Sequence, residues 1–340
     1  MKKVVTFGEI LLRLSTDNHL KFSQASFFNA TYGSGEFNVA VSLANYGIEA
    51  EFITQLPDND LGSCALEVMR QKNVGSKHAV FGGKKLGLYF LETGAGPRSS
   101  NVIYDRSDSS MATIKKGAIN WEEALEGANW FHWSGITPAI SQNAADECLE
   151  ALKMAHEKGL MISADLNHRA KLWQYGKEPR EVMPELLSYC NVILGDLDTA
   201  FFMLGKDKVN PDYQDEISLP ALYDTLFHHC KQLKIVATTL RYSVNASHQK
   251  IGGILYNGKR LFHTDVMDIT HVVDRVGTGD AFMGGLIYGL MTYDKDYRQA
   301  LNFAVAACCL KHTISGDYNL VDVAEIEKLM GGDTSGRVTR

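Results

Sequence analysis

Asp274-Arg275-Val276-Gly277-Thr278-Gly279-Asp280-Ala281-Phe282, followed by Gly284-Gly285, carries the most chemistry of any stretch in this chain. Gly277 and Gly279 allow a sharp turn, and the run from Asp280 to Met291 reads as a helix starting directly behind it. The first turn of a helix leaves N–H groups unpaired at the positive end of its dipole, so the junction is an anion site. Such a site suits a phosphoryl group gathering charge during transfer. Asp280, placed at the same point, can take a proton from an attacking hydroxyl. The competing reading makes Asp280 a helix cap and nothing more.

Strands and helices alternate through the rest of the chain. Strands are expected at Lys3 to Gly8, Ala50 to Gln55, Trp130 to Trp133, Leu160 to Asp165, Val192 to Leu194 and Ile235 to Thr239. Helices are expected at Glu36 to Tyr46, Leu61 to Lys72, Gln142 to Lys158, Arg180 to Leu187, Asp280 to Met291 and Tyr297 to Lys311. This alternation predicts an α/β fold with a mostly parallel sheet covered by helices on both faces. Two segments break the rhythm. Ser15 to Thr31 is polar and aromatic, and Leu86 to Asp108 reads as a hairpin turning at Gly94-Ala95-Gly96-Pro97. We therefore assign residues 1-14, 33-85 and 109-330 to the α/β body, 15-32 and 86-108 to a small β-sheet lid, and 331-340 to a frayed tail.

The composition fits one large domain: 340 residues, 45% hydrophobic and 22% charged. A net charge of -6 and the lack of a Lys/Arg run argue against a nucleic-acid surface. Glu9 and Arg13 interrupt the early apolar run, and no stretch reaches membrane-spanning length. The six cysteines form no C-x-x-C pair and read as reduced thiols, so the expected location is cytoplasmic.

The segment Asp274 to Gly285 resembles the C-terminal signature of the ribokinase-like (PfkB) sugar kinases, D-T-x-G-A-G-D-x-F-x-x-G. Arg275 stands in place of Thr and Thr278 in place of Ala. A second segment, Tyr32-Gly33-Ser34-Gly35-Glu36-Phe37-Asn38-Val39-Ala40 with Leu43-Ala44-Asn45-Tyr46-Gly47, is similar to the family's N-terminal signature. A dinucleotide fingerprint starting at Gly33 fails because Asn38 holds its sixth position and no buried strand precedes it. The resemblance implies a three-layer α/β/α fold. It also implies an anion hole at Gly277, Thr278 and Gly279, Asp280 as base, and sugar contacts from Gly33, Ser34, Gly35 and Asn38. ATP and Mg²⁺ are the implied cofactors, and a monovalent cation is left open.

Within the family the chain most resembles the 2-keto-3-deoxygluconate kinases. Val4 to Glu9, Gly87 to Leu91, Tyr104-Asp105-Arg106, Asp165 to Arg169 with Leu172-Trp173, and Lys311 to Asp317 carry this likeness. It implies that Tyr89, Tyr104, Arg106, Arg169 and Asp317 line the sugar site. The chemistry agrees, since a sugar acid carries a carboxylate that the planar fork of Arg binds in bidentate fashion. The tyrosines offer ring faces and hydroxyls.

On the nucleotide side the chain departs from the family. The usual N-x-x-E reads Gly195-Asp196-Leu197-Asp198, leaving Asp198, or Asp196 as the alternative, to hold Mg²⁺ through water. The usual T-x-G-x-x-G loop reads Thr238 to Ser243, with Thr239 and Arg241 as nucleotide contacts. Asn167, Asn302 and Ala306 resemble further nucleotide-side positions. The expected activity is transfer of the ATP γ-phosphate to a sugar acid, with closure of the lid excluding water. An exposed lid edge also predicts a homo-oligomer. The rival readings are a kinase for fructose, tagatose or ribose, and a sugar-binding regulator without transfer activity.

Overall fold

The computed structural model describes residues 2–335 and Arg337. Among these residues a nine-stranded sheet forms the body. Six of its strands run parallel, in the order Ile235–Asn245, Val192–Leu194, Met161–Asp165, Trp130–Ser134, Lys3–Phe7 and Glu49–Ile53. Val192–Leu194 and Trp130–Ser134 are buried along their whole length, as parallel strands covered on both faces must be. The helices Gly35–Asn45, Thr278–Thr292 and Tyr297–Lys311 pack on one face. Gln142–Glu157, Pro179–Leu187 and Leu219–His229 pack on the other. Phe37, Phe282 and Phe303 are fully buried in the first core, each contributing roughly 1.5–3 kcal/mol.

The order of the parallel strands positions the site. From Lys3–Phe7 the chain moves outward to Glu49–Ile53, then returns to Trp130–Ser134 on the opposite side and continues away. Ligands of open α/β sheets bind beyond the carboxyl ends of the strands at such a reversal.

A separate four-stranded sheet has the order Asn29–Gly33, Leu11–Ser15, Gly87–Glu92, Asn101–Asp105. Its outer pairs are antiparallel and its central pair is parallel. Leu11–Ser15 is thus a central lid strand, whereas the sequence pattern alone assigns residues up to 14 to the body. Its polar interruption at Arg13 hides the alternation, and only pairing on both sides reveals it. Leu11, Tyr89 and Leu91 pack with Val276, so the lid rests on the Gly277 loop.

A second difference concerns Thr238 to Ser243, expected as a loop. These residues lie inside the continuous strand Ile235–Asn245, which pairs antiparallel with His248–Tyr256. The run Thr238-Thr239-Leu240-Arg241-Tyr242-Ser243-Val244 holds no glycine and is rich in β-formers, so nothing ends the strand. The helix Val323–Met330 ends directly before the expected tail. Of that tail, Gly336 and residues 338–340 lie outside the described residues.

Candidate active site

A cleft of about 600 Å³ opens between the lid and the carboxyl ends of the body strands. Gly33, Ser34, Gly35, Asn38, Tyr89, Tyr104, Arg106, Asn167, Arg169, Arg241, Gly277, Thr278, Gly279, Asp280 and Asp317 all line it. The two signature segments, more than two hundred positions apart in sequence, meet where Asn38 Nδ2 donates to Asp280 Oδ2 at 2.7 Å.

Gly277 is the residue before the helix Thr278–Thr292 and has φ 79°, in the left-handed region. A Cβ there would lie 1.9 Å from the Asp317 carbonyl oxygen, so the loop admits only glycine. The first helical bond runs from Ala281 N–H to the Gly277 carbonyl at 2.9 Å. The N–H groups of Thr278, Gly279 and Asp280 therefore have no intrahelical acceptor and form the anion site. Asp280 keeps part of its surface open to the cleft but is otherwise enclosed. Burial raises its pKa from 3.8 to about 7, and the nearby carboxylates Asp165, Glu36 and Asp317 push in the same direction. The Asn38 bond opposes them by favouring the charged form. A carboxyl poised near neutrality suits a general base.

The sugar-side residues are held by neighbours that the sequence does not reveal. Ser34 Oγ caps the helix Gly35–Asn45, accepting from Phe37 N–H at 3.3 Å. Glu36 is buried and accepts from the hydroxyls of Ser134 at 2.5 Å and Thr137 at 3.0 Å. Burial also raises Asp165, at the end of its strand, to about 6. Asp317 accepts from the Tyr89 hydroxyl at 2.7 Å and pairs with Arg13 at 2.5 Å. Arg13 also pairs with Asp274 at 2.7 Å. Gly33 makes room for this cluster, since a Cβ there would meet Asp317 Oδ2 at 2.4 Å. Arg106 is not a free sugar ligand. It is buried in an ion pair with Glu9, while one Glu9 oxygen and Arg106 Nε have no protein partner. Tyr104 lies beside Tyr89 with ring centroids 5.9 Å apart. Sequence reasoning missed Glu9, Arg13 and Asp165 as cleft or supporting groups, because nothing local distinguishes them from strand residues.

Among the described residues, Arg169, Arg241 and Arg275 make no ion pair with a carboxylate, yet all three line the cleft. Arg241 Nη2 donates to Thr278 Oγ1 at 2.9 Å, and the Thr278 hydroxyl donates to the Arg275 carbonyl at 3.0 Å. The cleft thus offers cationic groups without carboxylate partners beside the free N–H groups of a helix start and the Asp280 carboxyl.

Four expected nucleotide-side residues stand apart. Thr239 sits in strand pairing with Gly253, outside the cleft lining. Ala306 is buried in the core, and neither it nor Asn302 lines the cleft. Asp198 lies on the helix Leu197–Met203 and pairs with Lys208 at 3.6 Å, while Asp196 caps that helix. No group of three His, Cys, Asp or Glu suited to a metal occurs among the described residues. The described residues therefore form no all-protein cage for Mg²⁺, an ion that typically keeps several waters and binds through substrate phosphates.

The pfkB family carbohydrate kinase profile matches residues 1–323. The chain is 30% identical to a 2-dehydro-3-deoxygalactonokinase of Haloferax volcanii, over 98% of each sequence. It superposes with TM-score 0.92 on a crystal structure of 2-dehydro-3-deoxygluconokinase from Thermotoga maritima, at 39% identity, covering 98% of this chain and 100% of that one. An E. coli structure in complex with ATP and Mg²⁺ shares the fold, with TM-score 0.78 and 17% identity, covering 98% of this chain and 100% of that one. No helix among the described residues is long and apolar enough to cross a membrane.

Proposed function

The chain belongs to the pfkB family of carbohydrate kinases, and from that premise we propose that it phosphorylates the terminal hydroxyl of 2-keto-3-deoxygluconate, with Asp280 as base. The observation that carries this reading is Asp280 itself. Its carboxyl, raised to about 7, stands at the start of the helix whose free N–H groups face the cleft. The terminal hydroxyl attacks the γ-phosphorus of ATP in line, forming a new O–P bond as the bond to the ADP oxygen breaks. Asp280 accepts the hydroxyl proton. The N–H groups of Thr278 and Gly279 stabilise charge on the transferred group. Mg²⁺ supplies charge neutralisation on the ATP phosphates. Arg169 is the free cation best suited to the sugar carboxylate, as Arg106 is already paired with Glu9.

A sugar panel in an ADP-release assay tests the reading. It includes the gluconate- and galactonate-derived acids, fructose, tagatose and ribose. Turnover of fructose with none of either acid would overturn the substrate assignment.

Among the described residues the outer lid strands Asn29–Gly33 and Asn101–Asp105 each leave one edge unpaired, and Phe27, just before the first, and Ile103, on the second, are exposed at 58% and 51%. These features support a homodimer through the lid. A monomer mass by light scattering at micromolar concentration would count against it.

A further inference from the structure

Beneath the anion hole lies a buried charge cluster: Arg13, Lys311, Asp274 and Asp317. Arg13 satisfies both carboxylates, at 2.7 Å to Asp274 and 2.5 Å to Asp317. Lys311 makes no carboxylate bond. Instead its fully buried Nζ donates to two main-chain carbonyls, Ile314 at 3.0 Å and Asp274 at 3.5 Å. A lysine is almost never buried without a compensating role.

Those two carbonyls belong to different segments. Asp274 opens the Gly277 loop and Ile314 belongs to the turn that leads to Asp317. The segments touch again where the Asp317 carbonyl lies against Gly277, and where Gly316 N–H donates to Asp274 Oδ2 at 3.1 Å. Lys311 is also the last residue of the helix Tyr297–Lys311, whose negative dipole end favours a cation. Bringing two carbonyl oxygens and a helix C-terminus together without a cation would leave them repelling one another in a medium of low dielectric.

We propose that Lys311 is a positioning residue that acts as a built-in monovalent cation. Its ammonium clamps the Asp274 and Ile314 carbonyls and so holds the N–H groups of Thr278 and Gly279 on the transferring phosphoryl group. The enzyme consequently needs no added monovalent cation. This rests on the kinase reading above, but its test has a readout that does not require turnover.

The experiment compares wild type with Lys311→Ala in tetramethylammonium chloride and in ammonium or potassium chloride, at constant ionic strength. The small ions can enter the space left by the side chain, whereas tetramethylammonium is too large to be coordinated by the carbonyls. Wild-type melting temperature and rate should be the same in all three salts. Lys311→Ala should melt several degrees higher in ammonium or potassium than in tetramethylammonium, as expected when an ion binds only the folded state. Its kcat should fall by about 10²-fold in tetramethylammonium with the sugar KM little changed, and recover at least about tenfold with the small ions. A variant indifferent to the ions overturns the proposal, as does wild type that potassium activates severalfold. If Lys311→Ala does not fold, Lys311→Met and the wild-type salt comparison remain decisive. Absence of turnover by wild type on every sugar would count against the kinase reading instead, leaving the melting comparison to judge Lys311.

Discussion

Arg241, in the segment that departs from the family's nucleotide loop, and Thr278, which departs from its C-terminal signature, are hydrogen-bonded to each other at 2.9 Å. Their strand and helix come from segments 37 residues apart and meet at the edge of the anion hole. Two departures that look unrelated in sequence are one feature in space. Leu240 and Ser243 stand where the family's nucleotide loop has glycines, Arg241 lies between them, and the Thr278 hydroxyl accepts a hydrogen bond from its guanidinium.

The pair gives a first prediction. Arg241→Ala should raise the ATP KM or lower kcat about tenfold, the scale of one charge-assisted hydrogen bond. Thr278→Ala should cost less, because Arg241 remains. In the double variant the losses should fall short of additive by about 1 kcal/mol, measured as a kinetic double-mutant cycle.

Asp280 gives a prediction in pH. Its pKa of about 7 requires kcat/KM to fall as pH drops below neutrality, since the base must be ionised. Asn38→Ala removes a bond that favours the charged form, so the acid limb of the kcat profile should move to higher pH. Asp280→Asn should lower kcat by at least about 10² while sparing sugar binding. Near-normal turnover of this variant refutes the base assignment.

The same shift predicts stability. A carboxyl raised from 3.8 to about 7 in the folded state binds more protons there than when unfolded. Folding stability from this group is therefore lost as pH rises through that window. Asp280→Asn removes the effect, so its melting temperature relative to wild type should increase from about pH 4 to about pH 8. Thermal melts across that range check the sign.

The two arginines assigned to the sugar should behave differently. Arg106→Ala leaves Glu9 buried and unpaired, a change costing about 3–5 kcal/mol, and should lower the melting temperature sharply. Arg169 is exposed and unpaired with carboxylates, so Arg169→Ala should leave stability unchanged. It should raise the KM for the sugar acid about tenfold, the loss of one charged contact, without affecting a neutral sugar. Equal effects of Arg169→Ala on both sugar types would remove Arg169 from the carboxylate site.

Gly277 and Gly33 both face Asp317, but with different groups. At Gly277 the obstacle is a main-chain carbonyl 1.9 Å from a Cβ, and φ is positive. Gly277→Ala should therefore fail to fold or lose at least about 10² in activity. At Gly33 the obstacle is the Asp317 carboxylate, which can rotate away from Tyr89 and Arg13. Gly33→Ala should fold, with the sugar KM raised, as steady-state kinetics and melting curves can separate.

Much of the fold was legible because local rules govern it. The alternation of buried apolar runs with amphipathic helices specifies the parallel sheet, and the turn at Gly94 to Pro97 specifies the lid hairpin. The reading erred where pairing rather than pattern decides. Leu11–Ser15 became lid because strands flank it on both sides, and Thr238 to Ser243 stayed extended because His248–Tyr256 pairs with it. Likeness to a signature placed Thr239, Asn302, Ala306 and Asp198 near the nucleotide, but none of them lines the cleft.

By itself the sequence determined where a helix start with free N–H groups and the Asp280 carboxyl come together, because unpaired N–H groups at a helix start follow from neighbouring residues alone. It also determined the family, since the two signatures stand in order along one chain. Only the tertiary structure decided the state of those groups. Asp280 is shifted toward neutrality by burial, with carboxylates distant in sequence adding to the shift, Arg106 is claimed by Glu9, and Arg13 and Lys311 lie beneath the Gly277 loop. Burial and charge pairing are properties of neighbours in space, and no spacing along the chain contains them.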